Sequence, residues 1–186
     1  MPEAPGGTPG YLGISRRPTR REWRRVLIVF AVGTVVLVLL LLFLRPRANL
    51  LSVGAAAPAI NLAAAGGGQV SVPAAAAGKP FVLEFFEAGC AHCQQAASQL
   101  CGEKVPVFAV DAAKDSTQAI LDYRHQYAPG CSYPMLVDPD LTASGAYAVN
   151  VVPTVYIVKD GRIVYSGSGL DGVAGLAAAV QKTLGG

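Results

Sequence analysis

Residues Val26 to Leu44 read VLIVFAVGTVVLVLLLLFL, nineteen positions without a charge. At ~1.5 Å of rise per residue the run nearly matches a ~30 Å hydrocarbon core. A helix this uniformly apolar has no polar face to show to water, so it is read as a transmembrane anchor, and the chain divides around it. Residues 1–25 form a basic tail, 45–52 a linker and 53–186 one domain of ordinary size. Arg16, Arg17, Arg20, Arg21, Arg24 and Arg25 precede the run and only Arg45 and Arg47 follow it. The positive-inside bias then puts the N-terminus in the cytoplasm and the domain outside, with Trp23 at the inner interface. A cleaved signal peptide is the competing reading. It has a shorter apolar region of ~7 to 15 residues with a small-residue cleavage site close behind, whereas Val53-Gly54-Ala55 lies nine residues beyond this run. Ser15-Arg16-Arg17 has the start of a twin-arginine signal, but Pro18-Thr19 follow it.

Charge follows the same division. Residues 1–47 hold eight Arg against two Glu, and the remaining 139 hold seven Lys and Arg against ten Asp and Glu. The basic residues belong to the tail rather than to a folded face, which removes nucleic-acid binding from consideration.

The exported part begins with twelve Ala and five Gly between residues 48 and 78, the composition of a flexible linker. Apolar alternation ending at Ile60-Asn61-Leu62, a triple-glycine turn and Gln69-Val70-Ser71-Val72 instead predict a β-hairpin. Phe81 to Phe86 is a buried central strand followed by a helix. Val105 to Val110 is a second strand, and Asp115 caps a helix running to about Tyr127, with Gln118 at its third position. Tyr133 to Val137 is a short strand. Val151 to Val158, interrupted by Pro153, and Arg162 to Ser166 form a hairpin through Lys159-Asp160-Gly161. A closing helix starts at Asp171 and presents Val173, Leu176, Val180 and Leu184 as its apolar stripe. Alternating strands and helices followed by an antiparallel pair indicate an α/β fold, a mixed sheet with helices on both faces.

Cys90-Ala91-His92-Cys93 lies where the central strand hands over to a helix. Unpaired N–H groups and the positive dipole end at a helix N-terminus favour an anion, so Cys90 is the candidate nucleophilic thiolate. Cys93, one turn further in, is placed to resolve a mixed disulfide, and His92 to add positive charge or a hydrogen bond. The chemistry runs on sulfur alone, with no cofactor. Gln94 stands where covalent haem attachment needs His. A zinc site needs a second ligand pair, and Cys101, His125 and Cys131 are isolated, so no metal is assigned. A purely structural disulfide is the plain alternative; a strand-to-helix junction is a poor place for one. Cys101 lies eight residues past Cys93, ~12 Å along one helix and too far to share that pair. Its partner in an oxidising compartment is Cys131, as a structural bridge or, less favoured, a second redox pair.

These residues together resemble the thioredoxin-like superfamily, and within it the membrane-anchored TlpA/ResA-type thiol-disulfide oxidoreductases. The likeness covers nearly all of residues 53–186. It rests on the Val53–Leu62 hairpin, Gly78-Lys79-Pro80 before the central strand, the cysteine pair, Tyr133-Pro134-Met135-Leu136-Val137-Asp138 and Val152-Pro153-Thr154. The resemblance implies a cis peptide bond before Pro153, with the Val152 backbone offered to an extended substrate strand. It implies that Glu84, six residues before Cys90, is the buried acid serving the inner cysteine. It also implies clients that are exported proteins or apocytochromes, and a membrane redox partner that recycles the pair. Gly89 stands where such proteins usually carry Trp, and Ala91-His92 is more like the oxidising members. The sequence leaves the direction of electron flow open. Two other functions compete. Copper chaperones on related folds use a three-residue gap between cysteines. Peroxiredoxins need Thr and Pro where Glu87 and Leu83 stand.

Overall fold

The computed structural model describes residues 20–44 and 49–185. The tail to residue 19, with Ser15-Arg16-Arg17, and residues 45–48 of the linker lie outside the described residues. The chain separates into two units, 1–45 and 46–186. In the first, Arg20–Phe43 is one helix, α1. Its stretch Trp23–Leu42 is long and apolar enough to cross a membrane, and none of that stretch is buried.

In the second unit seven strands form one mixed sheet: β1 (Ile60–Ala64), β2 (Gln69–Val72), β3 (Phe81–Phe86), β4 (Val107–Asp111), β5 (Met135–Val137), β6 (Thr154–Lys159) and β7 (Arg162–Ser168), in the order β2-β1-β5-β4-β3-β6-β7. The Ala- and Gly-rich stretch does form the expected hairpin, with Ile60 opposite Val72 and Ala63 opposite Gln69. All six β3 residues are buried, between parallel β4 and antiparallel β6. Four helices accompany the sheet: α2 (Ala91–Leu100), α3 (Thr117–Tyr127), α4 (Thr142–Ala146) and α5 (Gly169–Gly185).

Period-2 alternation along β3 divides the core. Val82 and Phe86 join one cluster with Cys93, Leu100, Ile120 and Leu176, so α2, α3 and α5 cover that face. Phe81, Leu83 and Phe85 join the opposite cluster with Ile60, Ala143 and Tyr147, under the hairpin and α4. Glu84, between Val82 and Phe86 in the alternation, therefore points to the face that carries Cys93.

Several boundaries differ from the sequence reading, each for a local reason. Strand β4 starts at Val107 because Pro106 has no N–H to donate; its carbonyl accepts from Val82 instead (2.8 Å). The cap of α3 is Ser116, whose hydroxyl accepts from the Ala119 amide at 3.1 Å, and Asp115 is turned elsewhere. Strand β6 begins only after Pro153. Helix α5 starts two residues early, at Gly169 with φ +65°, and Asp171 sits within its first turn, near the positive dipole end. Helix α4 was not foreseen. Its first amides are held by the buried Asp138 carboxylate, which accepts from Ala143 and Ser144 N–H and from the Ser144 hydroxyl.

Candidate active site

The chain leaves β3 at Phe86, turns through Glu87, Ala88 and Gly89, and enters α2. Cys90 is the N-cap, with extended backbone (φ −82°, ψ 116°), and its Sγ accepts from the Cys93 amide at 3.3 Å. An amide aimed at sulfur, at the positive end of the helix, is the arrangement that supports a charged nucleophile there. Cys90 is half-buried and Cys93 fully buried; both are unbonded thiols. Burial and a hydrogen bond to Cys90 push the Cys93 thiol far above its ordinary range, and the nearby Glu84 adds to the effect. The pair is thus asymmetric: the outer sulfur is open to attack a partner and the inner one holds its proton.

On the far side, the Cys90 sulfur lies 3.9 Å from the Val152 carbonyl oxygen. The Val152–Pro153 peptide bond is cis. Val152 is half-buried and Pro153 buried, and the Pro153 carbonyl accepts from Gly169 N–H at 2.7 Å, which fixes the loop to the start of α5. Backbone from residues 151–153 and the outer sulfur therefore share one surface.

Glu84 is 1 % exposed. Its Oε1 has no hydrogen-bond partner among the described residues, in contrast to the equally buried Asp138. Burial without compensating donors disfavours the anion, and the carboxyl is pushed up to about 8 from an ordinary 4.5. At neutral pH it is mostly protonated.

His92 is exposed, and among the described residues it makes no hydrogen bond to either sulfur. The hydrogen bond expected from it to the thiolate is therefore not formed. His125 is also exposed. Cys101 and Cys131 are disulfide-bonded, with Cα atoms 5.3 Å apart. The bridge joins the C-terminal end of α2 to the segment after α3. Among the described residues no group of three or more His, Cys, Asp and Glu is gathered in a way that could hold a metal ion.

The sequence reading missed several residues that hold α2. Tyr123 on α3 stacks on Phe86 (centroids 4.8 Å) and donates its hydroxyl to the Cys93 carbonyl at 2.7 Å. Tyr133 donates to the Ala97 carbonyl at 3.3 Å. Asp115 accepts from the Ala88 amide at 2.7 Å. With the Cys101–Cys131 bridge, the segment from 115 to 133 grips the redox helix and its entry loop at four points. The only signal in sequence was the spacing of Ile120 and Tyr123 on one face of α3, which announces burial and not a hydrogen-bond partner.

A mixed sheet with a cysteine pair at the N-terminus of the helix after its central strand defines a thioredoxin-like protein. Residues 53–166 match the AhpC/TSA family, and the chain belongs to that family. Solved structures agree in fold. A putative protein disulfide isomerase from Bacteroides thetaiotaomicron is 18 % identical, with TM-score 0.63, over 73 % of this chain and 92 % of that one. A putative thiol:disulfide interchange protein DsbE from Chlorobium tepidum is 20 % identical, with TM-score 0.60, over 72 % and 99 %. Peroxidoxin BcpB from Mycobacterium tuberculosis is 16 % identical, with TM-score 0.59, over 71 % and 97 %. No curated protein sequence matches the chain.

Proposed function

We propose that this protein is a membrane-anchored, extracytoplasmic thiol-disulfide oxidoreductase of the TlpA/ResA type. The observation that carries the reading is the asymmetric pair, with Cys90 capping α2 and accepting the Cys93 amide while Cys93 is buried as a thiol.

In the reducing direction the Cys90 thiolate attacks one sulfur of a client disulfide. A Cys90–client bond forms, the client S–S bond breaks, and the other client sulfur leaves as a thiolate. Cys93 then attacks the Cys90 sulfur and gives up its proton, which the minor ionised fraction of Glu84 accepts. The Cys90–Cys93 bond forms and the second client thiolate leaves, so two electrons have passed from the pair to the client. The oxidising direction is the same path reversed, with Glu84 returning the proton to Cys93. The half-buried backbone around Val152, beside the outer sulfur, suits an extended client segment.

Clients are exported proteins or apocytochromes, and a membrane redox partner recycles the pair. The anchoring reading rests on α1, whose apolar side chains are exposed throughout and suit lipid rather than water. Protease digestion of intact and lysed cells tests the orientation: cleavage of the domain only after lysis of the inner membrane overturns it.

Two rival readings have less support. Peroxide reduction is favoured by family membership alone, since Glu87 and Leu83 stand where that chemistry needs Thr and Pro. Copper carriage has two sulfurs and, among the described residues, no third gathered ligand.

The test is disulfide exchange by the full chain in detergent, using insulin and glutathione disulfide as substrates, with peroxide consumption and copper binding run in parallel. Wild type should exchange; Cys93→Ser should accumulate mixed disulfides through Cys90; Cys90→Ser should form none. A wild-type protein inert toward disulfides but active on peroxide, or binding copper stoichiometrically, overturns the proposal.

A further inference from the structure

The nucleophile sits at the end of a loop that contains Gly89, a residue with little conformational restraint of its own. What holds that loop is the Ala88 backbone, whose N–H and C=O, in successive peptide units, are each held by a side chain. Its N–H donates to Asp115 Oδ2 at 2.7 Å, and its carbonyl accepts from Gln94 Nε2 at 3.2 Å. Asp115 is itself fixed, because its amide donates to Asp111 Oδ2 (3.0 Å), and Asp111 Oδ1 accepts from Ala113 N–H (3.1 Å). Asp111 ends β4, is buried, and lies in register with Phe86, the last residue of β3. The Phe86 carbonyl accepts from Ala112 N–H at 2.8 Å, so the two strand exits are joined before the loop begins. A continuous set of hydrogen bonds runs from the β4 exit through Asp111 and Asp115 to Ala88, two residues from Cys90. Ser116 supplies the α3 cap, which leaves the Asp115 carboxylate free for this contact.

We infer that Asp115, with Gln94, is a positioning residue for disulfide exchange: by clamping the Ala88 backbone it holds the Cys90 sulfur against the Cys93 amide and beside Val152. The inference rests on the proposed exchange activity, but its physical content is the effective concentration of the two thiols. In the disulfide form the Cys90–Cys93 bond itself restrains the loop, whereas in the dithiol form hydrogen bonds alone hold it: the clamp, Cys90 N–H to the Glu87 carbonyl (3.1 Å) and the Cys93 amide to the Cys90 sulfur (3.3 Å). Loss of the clamp therefore frees the dithiol more than the disulfide, and ring closure becomes less favourable.

The readout is equilibrium of the full chain in detergent with glutathione. Oxidation of the pair by glutathione disulfide forms the Cys90–Cys93 bond, breaks the glutathione S–S bond, and passes two electrons and two protons to two glutathione thiols. Asp115→Ala should lower the closure constant about tenfold, which raises the reduction potential by about 30 mV. The exchange rate with glutathione disulfide should also fall. Asp115→Asn keeps an acceptor oxygen for the Ala88 amide and should stay near wild type in both, which separates the hydrogen bond from the charge. Gln94→Leu releases the other side and should shift the potential in the same direction, which keeps the question open to test should Asp115→Ala fail to fold. Wild-type potentials in the folded alanine and leucine variants, or an asparagine variant displaced as far as the alanine one, overturn the inference. The potential is measurable whatever the physiological client, so failure of the proposed function would show as an inert wild type and failure of the clamp as an unmoved couple.

Discussion

Replacing Glu84 by glutamine removes a titrating group whose folded and unfolded affinities for a proton differ widely. In the unfolded chain the carboxyl ionises at its ordinary 4.5; in the fold, burial holds it to about 8. Between those values the folded protein keeps a proton that the unfolded chain has lost, so stability falls with pH by about 1.4 kcal/mol per unit. Integrated from 4.5 to 7 this is about 3 kcal/mol, and it levels off near 5 kcal/mol above pH 8. The sign is that of a raised pKa: the contribution is intact below the unfolded value and lost as pH rises through the folded one. Glutamine matches the shape and does not titrate. The stability of Glu84→Gln minus that of wild type should therefore climb by about 3 kcal/mol from pH 4.5 to 7, whatever the constant offset from burying an amide. Asp111, whose carboxyl is pushed up to about 6 chiefly by burial, is present in both proteins and cancels. Urea unfolding of the disulfide form keeps Cys93 out of the titration. Near-ultraviolet circular dichroism of Tyr123, Tyr147 and Tyr156 is the suitable signal, because the single tryptophan, Trp23, lies in α1 and not in the domain. A difference that stays flat across this range would mean that Glu84 ionises freely, and its proposed role as proton acceptor for Cys93 would fall with it.

Joint replacement of Cys101 and Cys131 by alanine should lower stability by about 3 to 4 kcal/mol on the chain-entropy estimate for a bridge separated by 30 residues. Denaturant titration measures that loss, and mass spectrometry of the wild type under non-reducing conditions should find the 101–131 peptide pair; a free Cys101 thiol would contradict it. Tyr123→Phe keeps the stack on Phe86 but leaves the Cys93 carbonyl without its donor. It should cost about 1 kcal/mol in unfolding free energy, and amide hydrogen exchange in the first turns of α2 should quicken. Unchanged exchange there would show that the hydroxyl does not hold the helix.

The elements that were legible in the sequence are those whose signals are local. The nineteen uncharged residues 26–44 announce a long apolar helix, and α1 contains all but the last of them. The apolar run Phe81–Phe86 defines a buried strand, and a cysteine following it caps the next helix because only the first turn leaves amides unpaired. The hairpin followed from alternation on either side of three glycines. Tertiary structure decided the rest, since each remaining choice depends on a partner distant in the chain. Alternation with Leu83 and Phe85 leaves Glu84 as free to face water as the core, and only the covering of both sheet faces buries it. Asp115 and Ser116 are equally good caps for α3; Ala88, 27 residues away, takes the aspartate and leaves the serine. The approach of Val152 to Cys90 likewise exists only once β3, α2 and the loop before β6 have come together, and the Cys101–Cys131 bridge, a pairing the sequence already favoured, closes only once the segment after α3 lies against the end of α2. Local sequence fixes which backbone groups and side chains seek partners, and packing determines which ones they find.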